Sequence, residues 1–323
     1  MLENKTAGQQ EIGKMQPLRL KRRGFLNTMN HDGKARAKTG YDLRMTKKDA
    51  KITPILKWVG GKRGLLSSLI DLMPDSYSAY YEPFLGGGAL FFDQKPTKAV
   101  VSDSNSELIN LYSVVKSDVE NLIESLKQHE NTSEYFYAIR ANDRDKSVWD
   151  AMTDLERASR MLYLNKTCYN GLYRVNSQGQ VNTPFGNYKK PNYCPESDLR
   201  LMSAYFNEQD ITLLCCDYRK AVETACKGDF VYFDPPYDPI SETAAYTGYT
   251  SNGFNKQDQI ELCETCKELD SKGVMFMLSN SATDFIKGLY SGFDIQIVQA
   301  KRAINCKGDG RGAVDEVIVR NYE

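Results

Sequence analysis

The chain has 323 residues, 41% hydrophobic and 26% charged, with 42 Lys+Arg against 42 Asp+Glu and a formal net charge of zero. That length allows one large or two ordinary domains, and no apolar run approaches the roughly 20 residues of a membrane span. Eight cysteines without paired spacing and only two histidines, His31 and His129, speak against a disulfide framework and a metal centre, and for a reducing cytoplasm.

The neutral sum conceals a split. Residues 1–51 carry 13 Lys/Arg and 5 Asp/Glu, a balance of +8, which leaves −8 on the remainder. Phosphate binding follows local patches rather than the total, so neutrality does not exclude a nucleic-acid partner. The segment lacks periodicity and a signal-peptide core. It reads as a disordered extension, as the product of a start codon placed upstream of a natural start at Met45, or as a basic arm for a polyanion.

Order is expected from Ile52. Pro54 to Arg63 include Lys57, Trp58, Gly60, Gly61 and Lys62; the glycines permit close backbone approach to a ligand, and a helix follows as far as Pro74. Tyr80-Tyr81-Glu82-Pro83-Phe84-Leu85-Gly86-Gly87-Gly88 reads as a strand entering a glycine loop before a helix, the way α/β folds hold nucleoside cofactors. The dinucleotide pattern would place Gly or Ala at position 91, where this chain has Phe91. A second strand, Ala99 to Ser102, ends in Asp103, placed to bond ribose hydroxyls; otherwise Asp103 is a helix cap.

Residues 106–166 read as helices with apolar core stripes, including a capping box at Thr153-x-x-Glu156. Leu164 to Tyr188 change character, with many Asn, Tyr, Arg and Lys, and two short strands expected around a turn at Asn176-Ser177-Gln178-Gly179. A ribbon of this size fits a major groove. A polar helix, Ser197 to Asn207, precedes the strand Ile211–Cys216, which ends at Asp217, either a cofactor-adenine acceptor or a helix cap.

The centre of the chain is Phe230 to Phe233, a buried strand stopped by Asp234-Pro235-Pro236-Tyr237. Neither proline can donate to a ladder, so the strand end presents a carboxylate, backbone carbonyls and a ring. A carboxylate and a proline carbonyl at one strand end can accept from N–H donors of a ligand, and the Tyr237 ring can stack on a planar group. Residues 238–254 read as a lid. A helix capped by Asn255 runs to Lys272, and strands follow at Val274–Leu278, Ile295–Val298 and Val314–Val319. Arg302 and Arg311 flank a Gly/Lys loop. Cys263 and Cys266 lie inside a helical pattern and read as core residues.

The order of these motifs, Lys-Trp-x-Gly-Gly-Lys, Phe-x-Gly-x-Gly, the insert and Asp-Pro-Pro-Tyr, resembles the Dam-like D12 class (alpha group) of site-specific DNA adenine-N6 methyltransferases over residues 54–323. The resemblance implies an α/β, Rossmann-like methyltransferase fold with a mostly parallel sheet and an inserted helical target-recognition domain carrying a β-hairpin. The expected division is an extension (1–51), a catalytic domain (52–112 and 208–323) and a recognition insert (113–207). It implies S-adenosylmethionine held by Trp58, Lys62, Glu82, Phe84, Gly86, Gly88, Asp103, Asp217 and Asp234, and catalysis by Asp234, Pro235, Pro236 and Tyr237, with no metal. For double-stranded DNA it implies Lys57 and Arg174 on guanines, Leu172 and Pro184 on thymine, and Tyr169 with Asn170 at the flipped base; Lys166 and Tyr188 belong to the same surface. The implied target is GATC. A cognate restriction endonuclease, a monomer or weak dimer, and a bacterial or phage-infected cytoplasm complete the expectation. A methyltransferase of RNA or protein amides and a catalytically silent DNA-binding module are the alternatives.

Overall fold

The computed structural model describes residues 51–58, 60–240, 254–301 and 313–323. The basic extension, most of the expected lid and the loop bearing Arg302 and Arg311 lie outside the described residues.

Among the described residues, seven strands form one sheet: β1 Tyr80–Glu82, β2 Lys98–Asp103, β3 Asp210–Cys215, β4 Phe230–Phe233, β5 Met275–Ser281, β6 Asp294–Lys301 and β7 Ala313–Arg320. The order is β3-β2-β1-β4-β5-β7-β6. All neighbours pair in parallel except β7, which runs antiparallel to both β5 and β6. Both central strands are buried at every residue, as parallel strands covered on two faces require. The chain winds outward from β1 in one direction and from β4 in the other. Their carboxyl ends therefore open the crevice where such sheets bind ligands.

Helix α1, Leu66–Asp71, precedes the sheet, and α2, Ala89–Gln94, follows β1. The chain leaves the sheet after β2 for six helices: α3 Ser106–Ser117, α4 Val119–Leu126, α5 Ser133–Ala141, α6 Lys146–Ala151, α7 Asp154–Thr167 and α8 Glu196–Glu208. Helix α7 starts at the expected capping box, with Thr153 and Glu156 bonding each other's backbone N–H. One apolar cluster runs from Tyr80, Phe91 and Leu108 to Phe136, Leu162 and Tyr163, so the insert shares its core with the sheet. Helices α9 Tyr218–Ala221, α10 Lys256–Ser271 and α11 Asp284–Leu289 cover the other half. Cys263 and Cys266 are buried on α10 within the second apolar cluster. Among the described residues, no helix is long and apolar enough to cross a membrane.

The hairpin departs from expectation. In place of two strands there are two isolated antiparallel bridges, Cys168 with Phe185 and Val175 with Val181. Positive φ at Asn170, Gly171, Gly179 and Asn187 interrupts the extended backbone. The Val181 N–H donates to the Asp143 carboxylate at 2.8 Å rather than continuing a ladder. The turn itself is well made, with Asn176 Oδ1 accepting from the backbone N–H of Gln178 and Gln180, each at 3.0 Å.

Candidate functional site

The glycine loop after β1 is held from three sides. Gly86 has φ +47° and Gly88 φ +64°, conformations that L side chains rarely adopt. A Cβ on Gly86 would meet Trp58 Cδ1 at 2.7 Å. The Gly86 N–H donates to Asp103 Oδ2 at 3.0 Å, while Asp103 Oδ1 accepts from the Asn105 N–H at 2.9 Å. Tyr112 OH donates to the Gly86 carbonyl at 3.1 Å. Asp103 thus fastens the second strand end to the loop. Burial pushes its carboxyl upward against the opposing backbone donors. Phe84 stacks on Tyr218 with ring centroids 5.4 Å apart.

Glu82 closes β1 at 3% exposure. It accepts from Tyr80 OH at 2.6 Å. Burial pushes its carboxyl up to about 8, the Tyr80 bond opposes this, and nearby Asp234 adds to it. Asp234, at the end of β4, pairs through Oδ1 with Lys62 Nζ at 2.6 Å and accepts from Ser279 Oγ at 3.0 Å on the same oxygen. Burial raises its carboxyl too, while Lys62 pulls it back. Lys62 also donates to the Gly60 carbonyl at 2.6 Å and lies 4.5 Å from the Tyr237 ring centroid. The structure therefore sets Lys62 against the Asp-Pro-Pro-Tyr carboxylate rather than against the glycine loop.

The strand end is braced by residues that the sequence reading did not single out. Gln259 Nε2 donates to the Pro236 carbonyl at 2.8 Å, Asn280 Nδ2 to Gln259 Oε1 at 3.0 Å, and Tyr237 OH to Glu316 at 2.9 Å. Pro235 is buried beside them. Their one sequence signal is the polar run Ser279-Asn280-Ser281, at 0%, 0% and 2% exposure, ending the apolar strand β5. Buried polar groups in a central strand need partners, and here they serve the site.

Asp217 sits apart. It caps α9, accepting from the Arg219 N–H at 3.0 Å, and pairs with the Arg219 guanidinium at 2.8 Å. Its helix-cap reading is realised at the end of β3.

A second surface adjoins the crevice. Asn165, fully buried, accepts from the Lys57 N–H at 3.0 Å and donates to the Lys57 carbonyl at 2.8 Å and the Gly171 carbonyl at 3.3 Å. Trp58 stacks on Tyr173, centroids 5.7 Å apart. The segment at 57–58 thus joins glycine loop to hairpin. Exposed Lys57 lies 5.4 Å from the Tyr188 ring centroid. Tyr169 is 55% exposed, Asn170 is exposed with φ 57°, and Arg174 is exposed with Nε bonded to Asn182 Oδ1 at 2.9 Å. The Pro184 carbonyl accepts from the Tyr169 N–H at 2.8 Å, Pro184 itself is exposed, and Leu172 and Lys166 are half-buried. His129 is a core residue: it stacks on Tyr163 at 4.3 Å, bonds Tyr135 and Ser159 at 3.0 Å each, and is held neutral by burial with a pKa of about 4. Among the described residues, no group of three or more His, Cys, Asp and Glu could hold a metal ion.

Comparison with known proteins gives these features a context. The family model for D12 class N6 adenine-specific DNA methyltransferases matches residues 58–304. The type II methyltransferase M1.LlaDCHI of Lactococcus lactis subsp. cremoris is 47% identical over 280 residues, 86% of this chain and 98% of its own length. The type II methyltransferase M.MjaIII of Methanocaldococcus jannaschii is 40% identical across 84% of this chain and all of its own. The DNA adenine methylase of Haemophilus influenzae is 35% identical across 83% of this chain and 93% of its own. The sheet order, the glycine loop and the Asp-Pro-Pro-Tyr strand end are thus those of a family member: this chain belongs to the D12 class N6 adenine-specific DNA methyltransferases.

Proposed function

We propose that the protein methylates the N6 amino group of adenine in double-stranded DNA at GATC, with S-adenosylmethionine as donor and the target base flipped out of the duplex. The observation that carries this reading is the braced Asp234-Pro-Pro-Tyr237 strand end facing the glycine loop across the β1/β4 crevice. The loop suits an adenosyl cofactor: its positive-φ glycines leave no room for a side chain, and Glu82, Phe84 and Asp103 border it, with Trp58 behind. When bound, S-adenosylmethionine supplies an electrophilic methyl group. Tyr237 offers a ring for the flipped adenine to stack on. Asp234 Oδ1 is occupied by Lys62 and Ser279, so we assign Oδ2, with the Pro235 carbonyl, to the two amino N–H donors. Accepting both aims the nitrogen lone pair away from the strand end; the nitrogen would then take the methyl group directly, in line, as the methyl–sulfur bond of the donor breaks, and the proton that the amine sheds would pass to Asp234 Oδ2. Positioning and electrostatics supply the catalysis.

We assign residues 113–207 to target recognition, and Lys57, Lys166, Tyr169, Asn170, Leu172, Arg174, Pro184 and Tyr188 to the DNA surface. Arg174→Ala is expected to lose ~1–3 kcal/mol of discrimination at one base pair, seen as faster methylation of duplexes altered there. An unchanged preference would remove the hairpin from base reading. Kinship with type II methyltransferases supports a role beside a restriction endonuclease, in the cytoplasm of a bacterium or phage-infected host, as a monomer or weak dimer.

Expression in a bacterium without adenine methylation, followed by mapping of N6-methyladenine, tests the whole reading. Methylation at GATC is the expected result. Methylation elsewhere would keep the reaction and overturn the base assignments. None at all, from folded cofactor-binding protein, would favour RNA or protein amides or a silent module.

A further inference from the structure

The return limb of the hairpin hangs on side chains of α5 and the turn after it. Asp143 Oδ2 accepts from the Val181 N–H at 2.8 Å. Arg140 Nη1 donates to the Thr183 carbonyl at 2.9 Å. Arg144 donates to both the Asp143 carboxylate and the Val181 carbonyl. Asp143 is itself clamped. Its side chain is 8% exposed and Arg160 Nη2 lies 2.7 Å from Oδ2. Arg160, at 2% exposure, is fixed in turn by the Ile139 and Arg140 carbonyls at 2.9 Å each.

A cavity of about 320 Å³ lies beneath the hairpin turn, bordered by Asp143, Arg144, Arg160, Tyr173, Gln178 and Gln180. Val181 is buried in the main apolar cluster with Val175 packed against it, and beside the two isolated bridges the limbs bond each other through the Asn176 N–H to the Gln180 carbonyl at 2.8 Å and the Asn182 N–H to the Arg174 carbonyl at 3.0 Å. Directed polar bonds from Arg140 on α5 and from Asp143 and Arg144 in the turn after it add to these contacts at Val181 and Thr183 and fix the course of the return limb.

We propose that Asp143 and Arg160, with Arg140, are positioning residues for sequence specificity: they hold the hairpin limb in the register that lets its side chains discriminate bases, without touching DNA bases themselves. This rests on the hairpin being the reading element. A buried charge pair loses heavily when one partner is removed, so Asp143→Asn exposes the effect most directly, and Arg140→Gln tests it with the pair intact.

The experiment measures kcat/KM for the full chain on a GATC duplex and on duplexes altered at one base pair, for wild type, Asp143→Asn, Arg140→Gln and Arg174→Ala, with thermal unfolding alongside. In the clasp variants the ratio of cognate to near-cognate rates is expected to fall by about tenfold, since each lost bond frees the limb by a hydrogen bond's worth of restraint. A merely structural role would lower the unfolding temperature and the active fraction equally for every duplex, leaving the ratio alone. Ratios within twofold of wild type in both variants, with Arg174→Ala still losing discrimination, would overturn this proposal and spare the hairpin reading. Loss of discrimination in none of the three would overturn that reading as well. Should Asp143→Asn fail to fold, the paired Asp143→Leu/Arg160→Met replacement, which leaves no buried charge unmatched, takes its place in the same comparison.

Discussion

Replacing Asp234 by alanine is expected to cut single-turnover methyl transfer by at least about a thousandfold, while DNA affinity stays within a few-fold of wild type. The estimate follows from what one preorganised electrostatic group contributes, about 10²–10³ in rate, with a further loss because the same carboxylate orients the nucleophile. The carboxylate lies at a strand end whose neighbours exist to hold it: Lys62 and Ser279 on Oδ1, and Gln259 on the adjoining Pro236 carbonyl. The DNA surface assigned above does not include Asp234, so binding and chemistry should separate. Alanine would also leave the Lys62 ammonium, at 8% residue exposure, without its anion, a cost to stability. Asp234→Asn keeps the volume and one acceptor and should show the same rate defect with a smaller change in unfolding temperature. Near-normal turnover in either folded variant would defeat the mechanism. Lys62→Met carries the complementary expectation. Burial raises the Asp234 carboxyl and Lys62 lowers it, so removing the cation moves the acid limb of the pH–rate profile to higher pH.

The parts of this site that could be read from the amino acids are those where local chemistry leaves little choice. Two prolines stop β4 wherever the rest of the chain goes, and Gly86 and Gly88 mark a backbone that other residues would not adopt. The capping residues Thr153 and Asn255 announce α7 and α10 through bonds spanning three residues. What was not legible depends on long loops closing. Lys62 precedes Asp234 by 172 positions, and no periodicity joins them; only the folded arrangement, with the segment before α1 laid against the end of β4, brings the ammonium to the carboxylate. Tyr112, at the heart of an apolar stripe, reads as core, yet its hydroxyl reaches the Gly86 carbonyl. The glycine turn at 176–179 leads to an expectation of two flanking strands, yet the ladder shrinks to isolated bridges: the Val181 N–H turns to Asp143, in the loop after α5, and a side-chain acceptor cannot be anticipated from strand propensity.

Glu82→Gln should stabilise the protein increasingly as pH rises from 5 to 8. The folded state holds this carboxyl at about 8 against an ordinary 4.5, so folded protein binds a proton there that the unfolded chain has released. The stability this gives is fully present below about 4.5 and is lost as pH climbs through 8. Over that window the ceiling is ~5 kcal/mol, at 1.4 kcal/mol per pH unit. Glutamine cannot ionise and escapes the loss. Thermal unfolding of both proteins at pH 5 and pH 8 checks it: the gap in favour of glutamine is expected to widen by at least about 5 °C, and parallel curves would sink the idea. The two carboxyls of the crevice differ because their partners differ. Asp234 has an ammonium at 2.6 Å, whereas Glu82 has a phenol at the same distance. Burial is the largest influence on both carboxyls and raises both; the Lys62 ammonium is the main opposing group at Asp234, whereas at Glu82 the neutral Tyr80 hydroxyl opposes burial most.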